Sequence, residues 1–134
     1  MFRVSTRSQY GLRLMVYLAN HYKDVIPLKE VSEKESLSFD YLEKIVAKLE
    51  KAKLVKAKKG AYGGYYLTKA PSKIKANEII WALEGKRGLV KCLAGGKEYS
   101  CPLMKKCLAK NLWVKLQKSL NSTLSSITLS ELIK

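Results

Sequence analysis

Between Ser38 and Leu67 the chain (SFDYLEKIVAKLEKAKLVKAKKGAYGGYYL) changes its hydrophobic period, and that change restricts the fold more than any other stretch. Ser38 is a good N-cap, because its hydroxyl can accept an orphan backbone N–H of a first helical turn. Phe39, Leu42, Ile45, Val46 and Leu49 then recur at helical spacing, which predicts a buried stripe and leaves Asp40, Tyr41, Glu43, Lys44, Lys48 and Lys51 facing outward. After Leu54 the period shortens. Val55 and Ala57 alternate with Lys56 and Lys58, Gly60, Gly63 and Gly64 supply turn conformations, and Tyr65, Tyr66 and Leu67 return as a second strand. Upstream, residues Pro27 to Lys34 predict a short helix with Leu28 and Val31 turned inward, and Lys34 to Leu37 make the turn. Helix, turn, helix and a basic, glycine-tipped hairpin predict a winged helix-turn-helix. Its second helix would lie in the major groove of double-stranded DNA, and its wing would follow the backbone or enter the minor groove.

Charge points the same way. The chain has 26 Lys plus Arg against 11 Asp plus Glu, a net charge of +15, so polyanions are its natural partners. At 134 residues it is one domain, able to bury roughly two thirds of its unfolded surface. The sequence holds no apolar run of about 18 residues to span a membrane, and its first residues lack a signal-peptide apolar core, so a cytoplasmic location is expected. No His is paired with Cys or Ser at a recognisable spacing, and no phosphate-binding glycine motif precedes a helix, which argues against an enzyme.

A first helix is expected from about Thr6 to about His21, with Thr6 and Gln9 as a capping box and Tyr10, Leu14, Tyr17 and Leu18 as its buried stripe. Arg3 and Arg7 stand where they could touch phosphate. His21, the only histidine, suits the C-terminal end of that helix better than a metal site. Beyond the wing, Ala76 to Leu83 carries Ile79, Ile80 and Leu83 on one helical face, and Gly85 ends it. Residues Lys86 to Ser100 have no period and read as a loop. From Pro102 the chain becomes helical again, and Leu108, Leu112, Trp113, Leu116, Leu120 and Leu124 form a stripe on a helix about 25 Å long. Such a stripe can pack within one chain or form a seam between two. The small core and the two-fold symmetry of paired half-sites favour the seam, hence a homodimer on a palindromic operator. Thr128 to Glu131 is a second capping box. The expected fold class is therefore mainly α with a small β-hairpin wing. It divides into a DNA-binding winged helix over residues 1–70, a cysteine sensor loop over 86–107, and a dimerisation helix and tail over 108–134.

All three cysteines fall late in the chain: Cys92, eight residues, Cys101, five residues, Cys107. An odd number of confined cysteines does not suit a disulfide framework. Thiolate sulfur suits iron–sulfur clusters or zinc, and the neighbouring Lys91, Lys97, Lys105 and Lys106 favour thiolate over thiol.

These residues resemble a family. Arg3-Val4-Ser5 with Tyr10, Ser38 to Glu43, Leu49-Glu50-Lys51, Gly60 to Tyr65, Cys107-Leu108, Leu112-Trp113 and Ile127 to Leu132 look like bacterial transcriptional regulators of the IscR, NsrR and CymR type, over essentially the whole chain. The resemblance implies a homodimeric winged-helix repressor or activator. Ser38, Asp40, Tyr41 and Glu43 match its base-reading helix start, and Lys59 matches a wing residue that is arginine in IscR. A carboxylate can accept from the cytosine amine, which gives Glu43 a chemical role, while lysine at 59 keeps the charge and loses the guanidinium fork. With Arg3, Lys44 and Lys48 these complete the expected DNA-binding set.

The resemblance also implies that Cys92, Cys101 and Cys107 are ligands of an iron–sulfur cluster, 2Fe–2S or 4Fe–4S, that senses iron–sulfur status, nitric oxide or redox state. The first interval is longer than in IscR, and Lys110 replaces the histidine that follows the third cysteine there. In NsrR-like members a carboxylate of the partner's first helix is the fourth ligand, and the corresponding position here is about Gln9, beside Ser8. That leaves solvent, a small thiol or an acidic residue such as Glu98 for the fourth position. CymR-like members imply an alternative, a cluster-free repressor controlled by thiol oxidation or by a metabolic-enzyme partner. A cluster-assembly partner fits the cluster-bearing reading.

Overall fold

The computed structural model describes residues 3–85, Leu89 and residues 106–133. Five α-helices are present among them: α1 (Thr6–Asn20), α2 (Leu28–Glu35), α3 (Phe39–Lys51), α4 (Ala76–Glu84) and α5 (Lys110–Ser126). Two strands, β1 (Val55–Lys58) and β2 (Gly64–Leu67), and two short 3-10 turns, Pro71–Lys73 and Leu129–Leu132, complete the described elements. The architecture is mainly helical with one antiparallel hairpin, as the period change requires. Among the described residues no helix is long and apolar enough to cross a membrane.

The core collects one face from each of the first four helices. Leu14 and Met15 of α1, Val31 of α2, Leu42, Ile45, Val46 and Leu49 of α3, and Ile79 and Leu83 of α4 are all almost fully buried. The predicted stripe of α3 holds except at its first position: Phe39 is 43% exposed. Phe39 stands at the N-terminal edge of that face, between the exposed Ser38 and Asp40. Tyr10 and Tyr17 of α1 are half-buried, packed on the edge of the core rather than inside it. The N-cap of α1 is Ser5, whose side chain accepts from Ser8 N–H, so the expected Thr6 capping box is displaced by one residue. The Gln9 amide instead donates to Val4 O at 2.9 Å. His21 is the C-cap, with Nδ1 at 2.9 Å from Tyr17 O and its ring stacked on Tyr17.

In the hairpin, Val55 pairs with Leu67, Ala57 with Tyr65 and Lys58 with Gly64. Ile26, in the α1–α2 connection, adds a bridge on the other side of β2 through Ile26 N–H to Tyr65 O at 2.9 Å and Tyr65 N–H to Ile26 O at 2.8 Å. The three wing glycines serve different ends. Gly60 alone has a positive φ, +117°, a conformation that side chains disfavour. At Gly63 a Cβ would come within 2.3 Å of Lys58 O, and at Gly64 within 2.4 Å of the Ile26 carbonyl, so these two permit close backbone approach rather than turn dihedrals.

Helix α5 starts at Lys110, so the helix expected from Pro102 begins later, with residues 102–105 outside the described set. Its 17 residues span about 25 Å. None is fully buried, and Leu108 and Leu112 beside and on it are 84% and 61% exposed. The tail then returns to the core: Ala76 N–H donates to Ile127 O and Leu129 N–H to Ile74 O, both at 2.8 Å, and Leu129 is fully buried. The Thr128 capping box forms as expected, with Thr128 N–H donating to Glu131 Oε2 at 2.6 Å.

Candidate nucleic-acid interface

The turn between α2 and α3 is set by a non-glycine residue in the left-handed region. Ser36, at φ 53°, closes α2, its N–H donating to Ser32 O. Leu37 N–H also reaches Ser32 O at 3.1 Å, and the Ser32 hydroxyl donates back to Leu37 O. Leu37 is buried by this closure. The direction in which α3 leaves the turn is thereby fixed by backbone bonds. Arg13 of α1 reinforces it by donating to Glu35 O at 2.6 Å.

At the start of α3 the Ser38 hydroxyl accepts from Tyr41 N–H at 3.3 Å, the cap expected from sequence. Asp40 lies in the first turn and Lys48 and Lys51 in the last, the arrangement that complements the helix dipole. Asp40, Glu43, Lys44 and Lys48 are exposed on the side of α3 away from its buried face, and the cap Ser38 is exposed at its start. Tyr41 differs from the outward placement expected of it. It is half-buried, edge-to-face with Tyr10 at 5.6 Å between ring centres, because the helix turns its flank toward α1.

Lys59 is exposed just past β1, where the wing turns through Gly63 N–H to Gly60 O at 3.0 Å. Tyr62, at the tip of that turn, is 92% exposed. On β2 the Tyr65 phenol is pushed above its ordinary value by partial burial, and further by the carboxylates of Glu50 and Glu43 on α3. The Tyr65 phenol of the wing thus lies within electrostatic reach of α3.

Arg3 is exposed ahead of α1. Arg7, which stands where it could touch phosphate, pairs with Glu84 at 3.0 Å. Glu84 also accepts from the Ser8 hydroxyl at 2.8 Å and from the Ser5 hydroxyl. One carboxylate at the end of α4 therefore ties down the first turn of α1. The sequence carried a signal for this that the periodicity reading passed over: an acid in a last helical turn opposes the dipole and needs a partner elsewhere.

Cys107 is half-buried, three residues before α5 begins. Cys92, Cys101, Lys91, Lys97, Glu98 and Lys105 lie outside the described residues, as does the predicted loop from Lys86 to Ser100 apart from Leu89. Among the described residues no three His, Cys, Asp or Glu side chains stand together as a metal site.

Comparison with known proteins places the chain among its relatives. The family model described as Rrf2, iron-dependent transcriptional regulator, matches residues 4–134. Protein rrf2 of Nitratidesulfovibrio vulgaris is 30% identical over 133 residues, 98% of this chain and 87% of that protein. The structure of CymR (YrzC), the global cysteine regulator of B. subtilis, is similar with a TM-score of 0.77 at 35% identity, covering 98% of this chain and 96% of that one. That of T. potens IscR gives 0.77 at 36% identity, covering 98% and 85%. These relatives are regulators rather than enzymes, and with the family model matched over residues 4–134 the chain belongs to the Rrf2 family of transcriptional regulators.

Proposed function

We propose that this regulator binds a palindromic double-stranded operator as a homodimer, with α3 of each copy in the major groove and the wing on the adjoining backbone or minor groove. The observation that carries the reading is the two-sidedness of α3: Leu42, Ile45, Val46 and Leu49 seal one side into the core, while Asp40, Glu43, Lys44 and Lys48 stand exposed on the other, with the cap Ser38 exposed at its start. Glu43 would accept from a cytosine amine, and Ser38, Asp40 and Tyr41 would frame that contact at the helix start. Arg3, Lys44, Lys48 and Lys59 would neutralise phosphates. The exposed leucines of α5 would be covered by the same helix of a second copy, which sets the spacing of the half-sites. Affinity should fall about 10³- to 10⁵-fold between about 50 and 200 mM salt for roughly six to ten phosphate contacts. In operators selected from a random duplex pool, Glu43→Ala should relax preference at one base pair per half-site, at about 1 to 3 kcal/mol, whereas Lys59→Ala should weaken all sequences alike. A flat salt response or unchanged preference would refute this.

For the signal we propose that Cys92, Cys101 and Cys107 hold an iron–sulfur cluster. The thiol set suits such a group, and half-buried Cys107 lies just before α5, where a change of ligation would bear on the helix that spaces the half-sites. When bound, the cluster would supply sensitivity to iron–sulfur supply, nitric oxide or redox state. A cluster-free reading, with thiol oxidation or a metabolic-enzyme partner as the signal, is favoured by a separate observation. Neither Ser8, which is 2% exposed, nor Gln9 offers the thiolate, imidazole or carboxylate that iron favours, and Lys110 as an ammonium cannot ligate. Iron and acid-labile sulfide content of protein purified without oxygen separates the two. Stoichiometric iron and sulfide, lost in Cys→Ala variants, support the cluster; absence of both after reconstitution supports the thiol switch.

A further inference from the structure

Phe39 opens α3 with a large aromatic side chain 43% exposed, although the other large apolar residues of that helix, Leu42, Ile45, Val46 and Leu49, are at most 2% exposed. It immediately follows the exposed cap Ser38 and precedes exposed Asp40. Glu43 stands four residues on. Residues i and i+4 share a face of an α-helix, so Phe39 and Glu43 lie one above the other on the exposed side, about 6 Å apart along the axis.

We propose that Phe39 reads thymine, packing against the C5-methyl group in the major groove. This deepens the DNA-binding reading above and rests on it. The chemistry is specific, because the thymine methyl is the one apolar feature a base edge presents in that groove, and an aromatic ring is among the side chains suited to it. Duplex DNA is the occupant the surroundings select: Phe39 shares its face with Glu43 and stands between exposed Ser38 and Asp40, so hydrogen-bonding groups surround its ring, which match a base edge with its single methyl rather than an apolar protein surface. Geometry also sets the register. A 6 Å offset against about 3.4 Å per base pair places the contacted thymine about two base pairs from the cytosine read by Glu43, on the side toward the N-terminus of α3. Each half-site therefore carries an apolar and a polar determinant read by one helix turn.

The test uses the unmodified protein first. In operators selected from a random pool, each thymine is replaced singly by deoxyuridine, which removes the methyl and leaves every hydrogen-bonding group in place. Affinity should drop about four-fold per half-site at one position, the effect of one methyl withdrawn from burial, about two base pairs from the Glu43-dependent cytosine. In Phe39→Ala the same deoxyuridine substitution should cost nothing, and Phe39→Leu should retain part of the effect. A scan flat at every thymine, or a deoxyuridine penalty undiminished in Phe39→Ala, overturns the proposal. The reading it rests on fails differently: selection would then enrich no sequence, or Glu43→Ala would leave the cytosine preference intact.

Discussion

Replacing Gly64 by alanine should uncouple the wing from the body of the protein. The new Cβ would stand 2.4 Å from the Ile26 carbonyl carbon and oxygen and 2.7 Å from Pro27 N. All three are backbone atoms, so no rotamer change relieves the clash. The chain must separate there, and separation breaks the two bridge bonds between Ile26 and Tyr65, at 2.9 and 2.8 Å. Each bond contributes about 0.5 to 1.5 kcal/mol net, and overpacking of this kind costs about 1 to 3 kcal/mol. The sum is about 2 to 6 kcal/mol, a large share of the roughly 5 to 15 kcal/mol that stabilises a domain. Urea unfolding followed by circular dichroism would measure it, and amide hydrogen exchange would locate it. The Ile26 and Tyr65 amides should lose protection selectively. Gly60→Ala serves as the control. Its methyl would meet open space while φ +117° still penalises it, by about 1 to 3 kcal/mol, and the two bridge amides should stay protected. A Gly64→Ala protein within about 0.5 kcal/mol of the parent, with Ile26 and Tyr65 still protected, would refute the close-approach argument.

Three further outcomes are expected. The Tyr17 phenol donates to Glu30 Oε2 at 2.6 Å, and that bond, with burial and the charges of Glu30 and Glu35, pushes its pKa from 10.0 up to about 12. The neutral phenol is therefore favoured in the fold, so its contribution is complete below pH 10 and lost as pH rises from 10 toward 12. The stability difference between parent and Tyr17→Phe should shrink over that window; a constant difference would contradict the assignment. Leu129→Ala should cost about 2 to 5 kcal/mol, because this tail residue is fully buried in the core; a cost below about 1 kcal/mol by chemical denaturation would show that the tail is only laid on the surface. Leu112→Asp on α5 should halve the mass measured by light scattering and weaken operator binding, with the circular dichroism spectrum kept, since Leu112 is 61% exposed in the single chain. An unchanged mass would refute the proposed α5 seam.

Local chemistry made much of this protein legible in its sequence. The Ser38 cap, the buried run from Leu42 to Leu49, the alternation from Val55 to Lys58 and the Thr128 capping box each depend on residues within a few positions of one another, and all form as read. The exposed charges of α3 follow from the same periodicity. What the sequence left undetermined depends on distant partners. Phe39 has the spacing of a core residue and is 43% exposed, while Leu37 and Leu42 on either side of it are buried. Tyr41 has the spacing of a surface residue and turns inward because Tyr10 of α1 is there to receive its ring. Gly63 and Gly64 look like turn glycines, yet it is the nearness of the Lys58 and Ile26 carbonyls that excludes a side chain. Arg7 carries a charge whose partner no local pattern names, and it is Glu84, 77 residues along the chain, that pairs with it. Periodicity records which face of an element is apolar; only the tertiary structure decides where that face ends and which remote group meets it, because those contacts join residues far apart in the sequence.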